Sequence, residues 1–121
     1  MHKILIVDDE PNILLSLDFL MKKNGHSVFL ARNGEEALAS IEQNMPDLII
    51  LDIMMPDIDG YEVCKQIKAN ASLEHTKIIF LSAKSRQEDI DKGLAMGADQ
   101  YVTKPFSTKQ IMQEIINLLN Q

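Results

Sequence analysis

The stretch LIILDIMMPDIDG, residues 48–60, is the part of the sequence that decides the fold. It begins with four apolar residues in an unbroken run, and an aspartate, Asp52, follows at once. A continuous rather than alternating run is typical of a strand that is buried on both faces, as in a parallel sheet. A carboxylate directly after such a strand points to a specific role, because burial disfavours its charged form.

Similar apolar runs recur along the chain at residues 4–7, 28–31 and 78–81, with a shorter one at Tyr101 and Val102. The runs at 4–7 and 78–81 are continuous, whereas the other two are weaker and suit the edges of a sheet. Segments with the apolar spacing of amphipathic helices separate the runs. A strand and a helix therefore alternate five times, which predicts a parallel sheet with helices on both faces.

Polar residues at the predicted helix starts have the spacing of capping boxes, in which a cap precedes an acid or amide by three residues. The pairs are Asn33 and Glu36, Ser85 and Glu88, and Ser107 and Gln110. In the opening stretch, we expect Asp57 and Asp59 to serve the turn and the helix cap before Gly60.

The length of 121 residues predicts one domain, residues 1–121. The net charge of −6 argues against direct nucleic acid binding by this domain, because phosphate backbones favour clustered Lys and Arg. The sequence has no 18-residue apolar run and no signal-peptide cleavage pattern, so we expect no membrane segment and a cytoplasmic location. The lone cysteine, Cys64, excludes an internal disulfide, and its helical setting favours a buried structural thiol.

The ends of the predicted strands carry residues suited to chemistry. They are Asp8 and Asp9 after the first strand, Asp52 after the third, Ser82 at the end of the fourth and Lys104 after the fifth. In open α/β sheets, ligands bind beyond the carboxyl ends of the strands, where the strand order reverses. If the first and third strands are neighbours, the three aspartates converge at that end.

Three ionised carboxylates close together repel one another and attract a hard cation that prefers oxygen. Mg²⁺ fits best, with Mn²⁺ as the alternative, because Mg²⁺ takes one or two carboxylates directly and keeps waters or phosphate oxygens as its other ligands. With the ammonium group of Lys104 and the hydroxyl of Ser82, such a site would receive a phosphoryl group. Asp52 is then either a metal ligand only or a nucleophile that forms an aspartyl-phosphate.

Each of these residues also has a simpler role when it is taken alone. Asp9 would cap the next helix, Lys104 would be a solvated surface lysine, and Ser82 would be a turn residue. Four of the five strand tips carry groups suited to one task, however, and this coincidence favours a shared phosphoryl site.

Five motifs, together, resemble the receiver domain of two-component response regulators, and the resemblance covers the whole chain. The motifs are DDEP at 8–11, LDIMMPDIDG at 51–60, LSA at 81–83, GADQY at 97–101 and KPF at 104–106. The resemblance implies a flavodoxin-like, doubly wound (βα)5 fold, with a five-stranded parallel sheet in the order 2-1-3-4-5.

The resemblance also implies roles for single residues. Asp52 would accept a phosphoryl group from a sensor histidine kinase or a histidine phosphotransfer protein. Mg²⁺ would be bound by the side chains of Asp9 and Asp52 and by the carbonyl of Met54, while Asp8 would act mostly through a bound water.

Other implied roles concern the phosphoryl group and the response to it. Ser82 and Lys104 would hold the phosphoryl group, and the peptide bond between Lys104 and Pro105 would be cis. Tyr101 would be the switch aromatic that swings inward when Ser82 moves toward the phosphate. The face made by the fourth helix, fifth strand and fifth helix would then change and control a downstream protein or output domain.

Five positions depart from common patterns in the family or vary within it. The first is Ser82, where Thr is commoner, and because both side chains donate through a hydroxyl we expect little change. Met54 and Lys84 occupy places that, in the family this chain resembles, tune phosphate lifetime by gating water. Gln100 and Glu114 replace residues that DNA-binding regulators with a winged helix use to dimerise. This weakens the case for dimerisation of that kind. A phosphorylation-linked homodimer remains an open alternative. We expect a signalling switch rather than a metabolic enzyme, one that catalyses only its own phosphoryl transfer and autodephosphorylation.

Three other functions fit the sequence less well. A phosphatase of the haloacid dehalogenase type needs an acid–base aspartate two residues after its nucleophile, where this chain has Met54. A flavin carrier needs a hydroxyl-rich phosphate loop after the first strand, where Asp8 and Asp9 would repel phosphate, and no glycine-rich nucleotide loop is present. A degenerate interaction module would lack some of the chemical residues, whereas all five positions are filled here.

Overall fold

Strands and helices alternate along the chain in the computed structural model, which describes residues 1–120. The strands are β1 (Lys3–Val7), β2 (Ser27–Ala31), β3 (Leu48–Leu51), β4 (Lys77–Ser82) and β5 (Gln100–Thr103). The helices are α1 (Pro11–Lys23), α2 (Gly34–Asn44), α3 (Gly60–Lys68), α4 (Gln87–Ala95) and α5 (Thr108–Leu119), with a 3-10 turn at Ala71–Leu73.

The five strands form one parallel sheet in the order β2-β1-β3-β4-β5, which confirms the predicted flavodoxin-like fold. The two weaker runs form the edge strands, as predicted. β1 lies between β2 and β3, and Val7, its last residue, pairs with Ala31 on one side and Leu51 on the other. The ends of β1 and β3 are therefore level, and the residues that follow them start at the same edge of the sheet.

Alternate residues of the strands point into two separate cores. One core joins residues of the central strands such as Leu5, Ile49 and Phe80 to α2, α3 and α4. The other joins their neighbours, such as Ile6 and Ile50, to α1 and α5. Because both faces of the central strands are covered, their sequence is continuously apolar rather than alternating.

Two of the three predicted capping pairs form as expected at the cap residue. The Asn33 side chain accepts a hydrogen bond from Glu36 N at 2.9 Å, and Ser107 Oγ accepts one from Gln110 N at 3.2 Å. The reciprocal bond of the capping box is displaced, since the Glu36 carboxylate accepts from the N–H of Arg32 at 3.0 Å instead of that of Asn33.

The predicted start of the fourth helix at Ser85 is wrong. α4 begins at Gln87, its N-cap is Arg86, and no side chain caps it. The backbone turns first beyond β4, where Lys84 N donates to Ser82 Oγ at 3.2 Å, and the helix starts later as a result. The Arg86 side chain lies 3.3 Å from the Glu88 carboxylate, so the acid of the expected box pairs with Arg86.

Two further sequence predictions can be compared with the described residues. Cys64 is fully buried in α3, as expected of a structural thiol, and burial raises its pKa. Within residues 1–120, none of the helices combines the length and the apolar character that a membrane crossing requires.

Candidate functional site

Three aspartates meet at the carboxyl ends of β1 and β3. Asp52 N donates to the carbonyl of Val7 at 3.0 Å, and Asp8 N donates to that of Ala31 at 3.1 Å, so the sheet pairing continues to the two acids. Both are buried, with 1% of Asp8 and 4% of Asp52 exposed, while Asp9 is exposed. One oxygen from each of the three lies within 4.8 Å of the others. We call Asp8, Asp9 and Asp52 the acidic cluster.

Lys104 supplies positive charge to the acidic cluster from the other half of the sheet. Its backbone N–H donates to the carbonyl of Ser82 at 2.8 Å, which holds the segment after β5 against the end of β4. Its Nζ lies 2.8 Å from Asp8 Oδ2 and 3.5 Å from Asp52 Oδ2. The Lys104–Pro105 peptide bond is cis.

The electrostatics of the site follow from burial and from the excess of negative charge. Burial, and then the charge of Asp8, raise the pKa of Asp52 to about 6, although Lys104 opposes the rise. Burial also raises the pKa of Asp8, with the hydrogen bond from Lys104 acting in the other direction. Burial would lower the pKa of Lys104, but its contacts with Asp8 and Glu10 outweigh this effect and raise it.

The donor set suits a hard divalent cation. The acidic cluster offers only carboxylate oxygens, which are the ligands that Mg²⁺ prefers, and its three negative charges face one ammonium group. A bound cation would offset the repulsion that raises the pKa of Asp52.

Ser82 and Tyr101 meet at the turn that follows β4. Ser82 is fully buried, and its Oγ accepts from Lys84 N at 3.2 Å. The Tyr101 ring is buried against Phe80, with ring centroids 6.0 Å apart, and its hydroxyl donates to the carbonyl of Lys84 at 2.7 Å. Ser82 is joined through its backbone to Lys104, the residue whose ammonium group faces the acidic cluster, since the Ser82 carbonyl accepts from Lys104 N.

Comparison with known proteins identifies the family. The family model for the response regulator receiver domain matches residues 4–116. The chain belongs to this receiver family. It is 42% identical over 119 residues to the alkaline phosphatase synthesis transcriptional regulatory protein PhoP of Bacillus subtilis (strain 168). The match covers 98% of this chain and 49% of PhoP, so the chain spans about half the length of this curated relative.

Solved receiver structures have the same fold. The BeF3-activated receiver domain of DrrB is 35% identical with a TM-score of 0.91, and the match covers 100% of this chain and 99% of that one. The chemotaxis protein CheY4 of Vibrio cholerae is 30% identical with a TM-score of 0.91, and the match covers 98% of both chains.

A cavity of about 550 Å³ lies beside the acidic cluster of this receiver domain. Asp9, Met54, Tyr61, Lys84 and Lys92 are among the residues that line it. The Met54 side chain is 57% exposed, and its backbone N–H donates to Asp52 Oδ1 at 3.3 Å. Met54 and Lys84, the two residues predicted to gate water, thus lie at the same cavity.

Gln100 and Glu114, the two residues that differ from the pattern of winged-helix regulators, contact each other in the structure. Gln100 Nε2 donates to Glu114 Oε2 at 2.8 Å, which joins β5 to α5. Two residues that the sequence marks only as unusual therefore form one polar contact on the face made by α4, β5 and α5.

Sequence reasoning gave no role at the site to Glu10 and missed one contact of Asp57. Glu10 Oε2 lies 2.7 Å from Lys104 Nζ, so the acid after Asp9 also engages the lysine. Asp57 was expected to serve the turn before Gly60, and its carboxylate does interact with the backbone of that turn, but it also binds the start of α2. Both contacts join residues that are distant in sequence, and the only available signal for Glu10 was its place directly after the two aspartates.

Proposed function

We propose that residues 1–121 form one receiver domain that accepts a phosphoryl group on Asp52 from a sensor histidine kinase or a histidine phosphotransfer protein. The observation that supports this proposal is the arrangement around Asp52, whose Oδ2 lies 3.5 Å from Lys104 Nζ beside two more carboxylates. An ammonium group beside an acidic cluster, two of whose three carboxylates are buried, suits phosphoryl transfer better than any simple structural role.

The acidic cluster would hold Mg²⁺, or Mn²⁺ in its place. Asp9 and Asp52 would bind it through their side chains and Met54 through its carbonyl, with Asp8 acting through a water. When bound, the ion neutralises charge on the phosphoryl oxygens.

Asp52 would be the nucleophile. Its pKa of about 6 leaves most of the carboxylate ionised at neutral pH and therefore able to attack. A carboxylate oxygen forms a bond to phosphorus, the bond from phosphorus to the imidazole nitrogen breaks, and that nitrogen keeps the electron pair and takes a proton from solvent. Lys104 and Ser82 would hold the phosphoryl oxygens and stabilise their charge.

The same residues would start the conformational response. A phosphoryl group adds about −1.5 to −2 charges and three acceptor oxygens. Ser82 would turn its hydroxyl toward them, which changes its contact with Lys84 N, and Lys84 also accepts the hydrogen bond of Tyr101. The face made by α4, β5 and α5 would shift in consequence.

That face would act on a downstream protein or output domain, and the alternative is a phosphorylation-linked homodimer. The chain would work as a switch rather than a metabolic enzyme, with catalysis limited to its own phosphoryl transfer and hydrolysis. Met54 and Lys84, which line the neighbouring cavity, would set how fast water removes the phosphoryl group.

The test is phosphorylation with acetyl phosphate and Mg²⁺, followed by intact-mass measurement. The wild-type chain should gain the mass of one phosphoryl group, Asp52→Asn should gain none, and the exposed α4 control Asp91→Asn should behave as wild type. Phosphoryl uptake that persists in Asp52→Asn would overturn the assignment of the acceptor.

A further inference from the structure

Asp57 joins the loop after β3 to a different part of the fold. It lies in the segment between β3 and α3, residues 52–59, which we call the β3–α3 loop. Its Oδ1 accepts from Gly34 N at 3.0 Å and its Oδ2 from Glu35 N at 2.9 Å. Both donors belong to the first turn of α2, whose N–H groups have no partner within the helix.

The charge of Asp57 suits the place where it binds. The N-terminus of a helix carries a partial positive charge, so a carboxylate there is stabilised. These hydrogen bonds, with those of the Asp57 and Ile58 backbone, lower the pKa of Asp57. Since Asn33 caps Glu36 N, the side chains of Asn33 and Asp57 together serve three successive N–H groups of α2.

Close packing at the same place fixes the β3–α3 loop against α2. A Cβ at Gly34 would lie 2.7 Å from both the Cβ and the carbonyl oxygen of Ile58, so only a glycine allows this approach. At its other end, the loop is closed by Gly60 N, which donates to the carbonyl of Ile53 at 2.8 Å. The loop is therefore held at two points, one of which is Asp57.

We propose that Asp57 is a positioning residue for the cation site, because it clamps the β3–α3 loop to α2 and so fixes the carbonyl of Met54. This inference rests on the proposed function, in which Met54 supplies a backbone ligand. Asp52 begins the loop and is still bonded to β1 through its N–H. Met54 lies further along, where its own N–H is bonded to Asp52 Oδ1, and Asp57 adds the anchor on α2. If a ligand is ordered only when the ion binds, the entropy cost of ordering it lowers the affinity of the site for the ion.

A simple capping role makes a different prediction, and Asp59 provides the matched control. Asp59 lies in the same loop and carries the same charge, but its Oδ1 accepts from Glu62 N at 2.9 Å within α3. Loss of either aspartate removes one negative charge and one helix cap. Only loss of Asp57 removes the side-chain hydrogen bonds that join the β3–α3 loop to α2.

The experiment is a titration of the unphosphorylated full chain with Mg²⁺ alone, in which binding is measured by calorimetry and by changes in amide NMR shifts. Asp57→Ala should raise the Kd for Mg²⁺ by about tenfold, as is usual when a residue that orients a metal ligand is lost. Asp59→Ala should change the Kd for Mg²⁺ by less than about twofold. Each of the two variants loses a helix cap, so both should be less stable than wild type when no metal is bound, as measured in EDTA. Asp57→Asn retains one acceptor oxygen, so its Kd for Mg²⁺ should lie between those of Asp57→Ala and Asp59→Ala.

A Kd for Asp57→Ala within about twofold of wild type, or an equal weakening in Asp59→Ala, would overturn the inference. If Asp57→Ala fails to fold, the same comparison is made with Asp57→Asn. The parallel titration of Asp52→Asn separates this inference from the proposed function. Mg²⁺ binding as tight in Asp52→Asn as in wild type counts against the cation site itself, whereas binding that is weakened there but unchanged in Asp57→Ala counts against the clamp alone.

Discussion

The Tyr101 hydroxyl donates a 2.7 Å hydrogen bond to the carbonyl of Lys84 while the Tyr101 ring is buried. Lys84 N in turn donates to Ser82 Oγ at 3.2 Å. One residue of the turn after β4 therefore contacts both members of the predicted switch. We expect a movement of the Ser82 hydroxyl to alter this turn, whose Lys84 carbonyl holds the Tyr101 hydroxyl.

Replacing Tyr101 by Phe tests this connection. The ring packing is retained, but the hydrogen bond to Lys84 is lost, so we expect a stability loss of about 1 kcal/mol in urea denaturation. The amide NMR shifts of residues 82–84 should change more than those of β1. Unchanged shifts at residues 82–84 would contradict the connection. Tyr61→Phe is the control, because the Tyr61 hydroxyl has no hydrogen-bond partner among the described residues.

Gly93 of α4 provides the space that the buried Tyr101 ring occupies. A Cβ at this position would lie 2.9 Å from Tyr101 Cδ2 and 3.0 Å from Phe80 Cδ2. We expect Gly93→Ala to move the Tyr101 ring outward and to destabilise the fold, even though alanine favours a helix by about 1 kcal/mol over glycine. Tyrosine difference spectroscopy and urea denaturation measure the two effects.

The helix preference of alanine supplies the control for that substitution. In the Tyr101→Ala background the closest clash is absent, so Gly93→Ala should lower the free energy of unfolding by less than it does in the wild-type chain. A Gly93→Ala variant more stable than wild type, with the tyrosine spectrum unchanged, would show that the ring does not need this space.

The fold and the acidic cluster were predictable from the sequence for the same physical reason. Strands buried on both faces leave continuous apolar runs, and parallel strands end at a common edge. Once β1 and β3 were taken as neighbours, Asp8 and Asp52 had to meet, and the pairing of Val7 with Leu51 brings them level. Neither conclusion depended on the conformation of a single side chain.

The contacts that sequence reasoning missed depend on side chains that reach between elements. Glu10 is the N-cap residue of α1, but its carboxylate caps nothing there and lies against Lys104, 94 residues further along the chain. Asp57 contacts residues 22 and 23 positions earlier, at α2. A local pattern predicts a cap or a turn at such positions, because it contains no information on the distant partner.

Loss of Lys104 should destabilise the chain at neutral pH. The Lys104 side chain is 12% exposed and pairs with Asp8, so Lys104→Met leaves buried carboxylates without their cation and should cost about 3 kcal/mol. The pKa of Lys104 is raised in the folded state, so deprotonation of the lysine removes its contribution only above its ordinary value of 10.5, as the pH rises through the higher folded value.

Urea denaturation of Lys104→Met in EDTA, at pH 4 and pH 7.5, measures this cost. At pH 4 the difference from wild type should shrink, because the raised pKa values of Asp8 and Asp52 favour their neutral forms in the folded state. Lys109→Met, which removes a charge from the exposed start of α5, is the control. An equal effect of both substitutions would mean that Lys104 acts only through net charge.

Asp52→Asn should stabilise the cation-free chain above pH 6. The pKa of Asp52 is raised from 3.8 to about 6, so the folded state binds its proton more tightly than the unfolded state does. Ionisation of Asp52 therefore lowers stability progressively as the pH rises from 3.8 to 6, and the full penalty applies above that window. The neutral amide avoids a penalty of up to about 3 kcal/mol.

Thermal and urea unfolding of wild type and Asp52→Asn in EDTA, from pH 4 to pH 8, measures this penalty. The two curves should converge near pH 4 and separate above pH 6, whereas the exposed control Asp91→Asn should run parallel to wild type throughout. Adding Mg²⁺ at pH 8 should stabilise wild type and reduce the gap, because the ion binds the folded wild-type acids and loses a ligand in the variant. A gap that is constant across this pH range would show that Asp52 titrates as an ordinary carboxylate, and that its burial beside Asp8 has no electrostatic cost.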